Sequence, residues 1–243
     1  MQPFLIALQF LTRLPVRLEG MPAPEAVGRS FLHYPSVGLL LGIILWLVGV
    51  ALDGAAVPLQ AALLLTVWVL LTGGLHLDGL ADSADAWAGG YGDPERTLAI
   101  MKDPRSGPIA VVTLILVLLL KFVALWALLA DGHRLALLLV PILGRSALLG
   151  LFMTTRYVRP GGLGQALAEH LPRGTARVVL ALVTLLCLML GSSGWLALAV
   201  ALGIGLIMRR GMSRRIGGTT GDTAGAVLEL VECGVLVALA LQL

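Results

Sequence analysis

Gly73-Gly74-Leu75-His76-Leu77-Asp78-Gly79-Leu80-Ala81-Asp82-Ser83-Ala84-Asp85 sets three acids at the place where a long apolar run ends. Asp78, Asp82 and Asp85 stand at i, i+4 and i+7, so a helix through this stretch presents all three carboxylates on one face within about two turns. Carboxylates that close repel one another, and a bound divalent cation is the natural compensation. The plainer reading of the same residues is a helix cap followed by a solvated face.

The rest of the chain says what kind of edge this is. Of 243 residues 58% are hydrophobic and 13% charged, which describes a polytopic membrane protein and excludes an ordinary soluble domain. Thirty glycines suit helices that approach closely in lipid, where small residues let backbones touch. The short alternating segments of a membrane β-barrel do not occur. Cys187 and Cys233 lie inside apolar runs with no metal spacing and read as buried spectator thiols. No removable signal peptide is expected, because the start of the chain lacks a basic segment and carries Arg13 in place of a small-residue cleavage site.

The expected fold is all-α: a single integral membrane domain over residues 1–243, with about seven transmembrane helices behind an interfacial N-terminal helix within Met1–Leu14. The apolar runs cover 36–52, 57–75, 109–130, 135–153, 177–191, 194–208 and 224–243. The fifth and sixth are short against the ~20 residues that cross a hydrocarbon core. Charge supports the count. With the N-terminus inside, one side collects Arg13, Arg17, Arg29, Arg96, Lys102, Arg105, Arg156, Arg159, Arg173, Arg177, Arg209, Arg210, Arg214 and Arg215. The opposite side keeps Arg134 alone, while Lys121 and Arg145 fall inside spans. Basic residues accumulate on the cytoplasmic side of short loops, which puts the acidic cluster at the cytoplasmic face.

Between His76 and Pro108 the three aspartates are followed by Asp93, Glu95, Arg96, Lys102, Asp103 and Arg105. Acids that hold Mg²⁺ beside bases that cradle phosphate oxygens suit a metal-assisted reaction at a phosphate or diphosphate. His76 reads as a ligand, a proton carrier or an interfacial polar residue. A second polar segment, Gly217-Gly218-Thr219-Thr220-Gly221-Asp222-Thr223, leads into the last span. Its hydroxyls and backbone N–H groups at a helix start suit a phosphate, and Asp222 is either an N-cap or a fourth carboxylate for the metal. Lys121, Arg145, Glu229 and Glu232 are expensive to place in hydrocarbon and read as functional groups or structural ion pairs. The basic loop from Arg156 to Gly164 is by itself a weak signal.

These segments together resemble the adenosylcobinamide-GDP ribazoletransferase family, the integral-membrane cobalamin synthases of the late cobamide pathway. The likeness runs through Leu8–Pro15, Gly73–Asp85, Ile100–Asp103 with Ser106 and Gly107, Gly144-Arg145, Arg156-Tyr157 with Gly162–Gly164, and Gly217–Glu229. It implies that a ribose hydroxyl of α-ribazole, or of its 5′-phosphate, attacks the diphosphate of adenosylcobinamide-GDP and releases GMP. By the same resemblance Asp78, Asp82, Asp85 and Asp222 hold Mg²⁺. Asp82 or Asp85 takes the hydroxyl proton, with His76 as a further catalytic candidate. Lys102, Arg105, Lys121, Arg145 and Thr220 are the substrate-binding candidates. The implied setting is a bacterial cytoplasmic (inner) membrane with the active site facing the cytoplasm. The expected partners are the two substrates and the lipid bilayer, with room for self-association or for other cobamide-pathway enzymes, and no nucleic acid. Two rival readings are a CDP-alcohol phosphatidyltransferase and an ion-coupled transporter. The first fails where Asp78-Gly79 leads to Ala81-Asp82 instead of Ala-Arg. The second requires acids at mid-bilayer on several helices, whereas most acids here lie in loops.

Overall fold

The computed structural model describes residues 2–18, 20–161 and 163–243. Met1, Glu19 and Gly162 lie outside the described residues, so the likeness at Gly162–Gly164 is described only in part. The described residues form twelve α-helices joined by loops: α1 (Gln2–Leu11), α2 (Pro24–Ser30), α3 (Tyr34–Ala51), α4 (Val57–Thr72), α5 (Leu75–Gly89), α6 (Pro94–Ile100), α7 (Pro108–Ala130), α8 (Ala136–Thr154), α9 (Leu163–Glu169), α10 (Arg173–Met189), α11 (Gly191–Ile216) and α12 (Gly221–Ala240).

Seven of these, α3, α4, α7, α8, α10, α11 and α12, follow the seven expected apolar runs and pass between two ends of the bundle. At one end Arg134 is ion-paired to Asp53, joining the α3–α4 and α7–α8 turns. A cavity lined by His133, Ser192 and Gln242 brings the α10–α11 turn and the C-terminus to the same end. The other end gathers α1, α2, α5, α6, α9 and the polar loops. There the Arg13 N–H donates to the Leu71 carbonyl at 2.7 Å, and α2 meets α9 where a Cβ on Gly28 would fall 2.2 Å from the His170 carbonyl oxygen. Five stretches are long and apolar enough to cross a membrane, counting α2 and α3 as one run, and six if α4 and α5 count as a single bent span. The shortfall against seven lies in α4 and α10, which have 16 and 17 residues. At 1.5 Å per residue these are roughly 24–26 Å long, at the short limit for a bilayer core.

Burial separates the centre from the lipid face. The apolar windows of α8 and α12 are 78% and 72% buried, against 28% for α7 and 17% for α11. Central α8 is held to α3 by close backbone approaches. On α3, a Cβ on Gly38 would fall 2.4 Å from the Pro141 carbonyl oxygen, and one on Gly42 would fall 2.8 Å from that of Leu137. Pro141 has no N–H to give Leu137, so α3 packs against a carbonyl released from the ladder of α8. On its buried stripe α7 carries Val117, Lys121, Ala124 and Leu128, a cation among small and aliphatic residues.

The stretch that opened the sequence reading makes a corner. Gly73 and Gly74 both adopt left-handed backbone, at φ 65° and 69°, a conformation that glycine reaches without a Cβ clash. The chain therefore turns by 88° between α4 and α5. α5 leaves the span and runs across the end of the bundle, over the starts of α7 and α12. Its crossing with α12 is tight: a Cβ on Gly79 would lie 2.8 Å from the Asp222 carbonyl oxygen, and one on Gly225 3.2 Å from His76 backbone.

Two outcomes follow from this arrangement. Single cysteines introduced at Gly54 and Gly174 will label from opposite sides of sealed vesicles, and same-side labelling refutes the pass count. Gly79→Ala will unfold about 1–3 kcal/mol more easily than Gly203→Ala in a reversible detergent titration, because overpacking at a helix crossing has that scale while a Cβ on Gly203 meets nothing within 4 Å. Equal stabilities would show that the α5–α12 contact yields freely.

Candidate functional site

α5 is helical through the acidic cluster, so the i, i+4, i+7 spacing is realised, yet the three acids do different things. Asp78 is exposed, and it lines a cavity of about 470 Å³ together with His76, Asp222 and Arg159. Asp82, one turn on, is half-buried. Burial first, then the Asp78 and Asp222 carboxylates, push its pKa up to about 6. Asp85 turns the other way and accepts the backbone N–H groups of Gly107 and Ala110, the latter at 2.9 Å. Both of its oxygens are thus engaged at the start of α7, where a carboxylate complements the exposed amides and the helix dipole. That use separates Asp85 from the metal-ligand and base roles expected of it: it fastens the loop before α7 to α5.

The start of α12 faces this helix. Thr220 is the N-cap, with its side chain accepting the Thr223 N–H at 3.2 Å and the Thr223 hydroxyl accepting the Thr220 N–H at 2.9 Å in a capping box. Thr220 is fully buried, so the phosphate contact expected of it gives way to a cap. Asp222 is consequently free of capping. It accepts a hydrogen bond from Arg159 Nη1 at 2.8 Å in a partly exposed ion pair. Lys102 stands beside the same pair, lining a small recess with Arg159, Thr220 and Asp222. Arg105 does not join them. Its guanidinium is bound to Asp103 at 2.7 Å on the surface, where its side chain is 87% exposed.

Lys121 and Arg145 lie inside the bundle and line neither this cavity nor the Lys102 recess. Lys121 Nζ donates to Glu229 at 2.6 Å and to Glu232 at 2.8 Å, and Arg145 donates to Glu232. All four are buried, and Lys121 also sits 5.0 Å over the Trp68 ring. Two cations against two anions leave the cluster neutral overall, the condition under which buried charges are tolerated. The structural ion-pair reading of these residues describes their contacts, and neither of the two cations expected to bind substrate lines the carboxylate cavity or the Lys102 recess. His76 stands between this cluster and the cavity, 4% exposed, with its Nδ1 lacking a partner among the described residues. Burial first, then the nearby Arg145 and Lys121 cations, hold its imidazole well below the ordinary range. It is therefore neutral at physiological pH and suits hydrogen bonding better than carrying a proton as an acid.

Arg159 and an aromatic wall were not among the sequence candidates. Phe10, Phe31, Tyr34 and Phe152 form the apolar side of the cavity. Tyr34 stacks 4.3 Å from Phe31 between ring centroids and keeps a buried hydroxyl without a partner among the described residues. They come from α1, the α2–α3 junction and α8, three elements that only folding brings together. For Arg159 the available signal was the basic, glycine-rich loop itself. Its backbone is registered on the α12 loop, with Val158 N–H donating to the Thr219 carbonyl at 2.9 Å and Thr219 N–H to the Arg156 carbonyl at 2.8 Å.

Among the described residues no three acid, histidine or cysteine side chains converge closely enough to hold a metal by themselves. Asp78, Asp82 and Asp222 nevertheless form a like-charged group in which burial and the neighbouring carboxylates raise the Asp82 pKa, and among the described residues Arg159 is the one cation paired into it. That donor set fits Mg²⁺, which keeps waters and takes substrate phosphate oxygens in preference to an all-protein cage.

Comparison with known proteins agrees over the whole chain. A family model described as cobalamin-5-phosphate synthase matches residues 3–240. An adenosylcobinamide-GDP ribazoletransferase of Stutzerimonas stutzeri (strain A1501) is 66% identical over 242 residues, covering 100% of this chain and 99% of that protein. Enzymes of the same name from Pseudomonas putida (strain W619) and Pseudomonas fluorescens (strain Pf-5) are 67% and 66% identical, with at least 99% of each chain covered. No solved structure matches. With its full length matched and its acidic, glycine-built helix crossing in place, the chain belongs to the cobalamin-5-phosphate synthase family.

Proposed function

We propose that this protein is an adenosylcobinamide-GDP ribazoletransferase of the bacterial inner membrane, working at the cytoplasmic face. The observation that carries the reading is the meeting of Asp78 with the Asp222–Arg159 pair at one cavity, with half-buried Asp82 one turn on and within the field of both carboxylates, on helices held together through Gly79 and Gly225. The names of relatives two-thirds identical over the full chain support it. The concentration of basic residues at the same end supports the orientation.

In this reading the ribose hydroxyl of α-ribazole, or of its 5′-phosphate, attacks the phosphorus next to cobinamide. A new P–O bond forms, the bond to the bridging diphosphate oxygen breaks, and GMP leaves with that oxygen. Asp82 receives the hydroxyl proton at a carboxylate oxygen: burial raises the proton affinity of both Asp82 and Asp222, but Asp222 is paired with Arg159, whereas Asp82 is pushed up to about 6. Asp78, Asp82 and Asp222 would hold Mg²⁺, which supplies charge neutralisation for the diphosphate when bound. Arg159 and Lys102 border the same group of acids and orient the phosphate oxygens. Neutral His76 offers a hydrogen bond from the cavity floor, and the aromatic wall excludes water from the apolar side. Positioning and electrostatics account for most of the acceleration, as is general in phosphoryl transfer.

The test is release of GMP from adenosylcobinamide-GDP by membranes carrying the full chain, dependent on both acceptor and Mg²⁺. Asp82→Asn will lower turnover by roughly 10²–10⁴-fold, the range that a positioned base contributes. Near-normal turnover of the variant at saturating Mg²⁺ rejects the assignment. Asp82 also makes stability depend on pH. Its native pKa of about 6 stands above the ordinary 3.8, so between these values the native state keeps a proton that the unfolded chain has lost. Metal-free protein will thus lose stability as pH rises from about 4 through 6. Asp82→Asn will flatten that slope in pH-dependent unfolding curves, and an unchanged slope assigns the dependence to other groups.

A further inference from the structure

A second and larger cavity, about 840 Å³, lies on the other side of the segment Tyr157–Pro160. It shares Phe152, Tyr157, Arg159 and Pro160 with the carboxylate cavity, so the two are neighbours across one wall. Their charge differs in sign. Arg156, Arg159 and Arg173 line the second cavity, and Glu169 is the one acid among its lining residues. Glu169 accepts a hydrogen bond from Gln165 at 2.8 Å, and Arg159 is paired across the wall with Asp222. Among the described residues the ion pairs include neither Arg156 nor Arg173. The Thr155 hydroxyl, on the same lining, is buried without a partner among the described residues.

The frame behind these cations is fixed. The Arg156 carbonyl accepts the Thr219 N–H, and a Cβ on Gly218 would fall 2.2 Å from that carbonyl oxygen, so the loop lies directly on the approach to α12. Arg173 is the first residue of α10. Guanidinium groups held from ordered backbone, and outside the ion pairs formed among the described residues, match the planar, multi-oxygen geometry of a phosphomonoester. Such an ester carries about −1.5 to −2 charge at neutral pH. The volume falls within the range of small-molecule sites, about 300–1,000 Å³.

A transfer between two bulky substrates needs two compartments that meet at the reacting atoms. The carboxylate cavity suits the donor diphosphate. A phosphorylated acceptor is what the family description, cobalamin-5-phosphate synthase, already implies; we propose that the arginine-lined cavity is its subsite, in which Arg156 and Arg173 clamp the terminal phosphomonoester and set the preference for it. Arg159, on the shared wall, then stands between the acceptor's phosphate and the donor's. This inference rests on the transferase reading above and names the residues that set its acceptor preference.

The experiment compares kcat/KM for α-ribazole 5′-phosphate and for α-ribazole with the purified full-length protein in nanodiscs of zwitterionic lipid. The wild type will prefer the phosphorylated acceptor. Arg156→Ala and Arg173→Ala will each lower the ratio of the two kcat/KM values at least tenfold, mainly through KM for the phosphorylated acceptor. Arg173→Lys, which keeps the charge and loses the fork, will retain part of the preference. The ratio is independent of the fraction of protein that folds, so a folding defect cannot imitate the expected result. A wild type without preference overturns the inference. So do alanine variants that slow both acceptors alike, the behaviour of arginines that serve a lipid phosphate or the scaffold. Absence of GMP release by folded wild type with either acceptor removes the transferase reading itself, a result distinct from an active enzyme with an unmoved ratio.

Discussion

Everything at the polar end of this protein depends on how closely α5 can lie on the start of α12. The contact is made through Gly79 and Gly225, where a single added carbon would press on the Asp222 carbonyl or the His76 backbone. Close approach has an electrostatic consequence. It half-buries Asp82 and brings Asp78 and Asp222 near enough to be felt, so that burial first and the neighbouring carboxylates second push the Asp82 pKa up to about 6. A wider crossing with the same sequence would leave three ordinary solvated acids. The 88° corner made by the two left-handed glycines is the companion requirement, since it lays α5 across the bundle end instead of letting it continue the span.

The same helix ties the site to the membrane interior. α12 carries Asp222 in its first turn, and the buried Glu229 and Glu232 two and three turns further on. Those glutamates take Lys121 from α7 and Arg145 from α8. Removing one member of such a cluster leaves an uncompensated charge in a medium that cannot solvate it, so the four residues constrain α7, α8 and α12 to one relative placement. Glu232 also fills the space over Gly144, where a Cβ would fall 2.8 Å from its side chain. The charge that looked like chemistry within the spans is a brace beneath the site.

Much of this was legible in the residues. The i, i+4, i+7 acids lie on one helix, the seven apolar runs all became helices although five or six of the expected seven spans are long and apolar enough to cross a membrane, and the basic residues gather where the acids do. Each of these rests on a local period or a compositional bias that survives folding. What was not legible concerns partners. Asp85 and Asp82 have the same chemistry and differ by three positions, yet one meets the start of α7 and the other faces Asp222. Thr220 and Asp222 were both candidates for chemistry. The cap went to Thr220 because its backbone is extended at φ −113° while Asp222 is already helical.

The amino-acid sequence by itself determined that this is a helical membrane protein with its polar segments at one end, because hydrophobic runs and charge bias act residue by residue on transfer into lipid. It also determined the family, through a glycine-and-aspartate pattern that extends over nearly the whole chain. Only the tertiary structure decided which acids are free, which cations are consumed by other charges, and which arginines stand over open cavities. Those outcomes depend on distances between residues such as Arg159 and Asp222, 63 positions apart, and a short-range Coulomb or hydrogen-bond energy exists only once packing has brought such groups together.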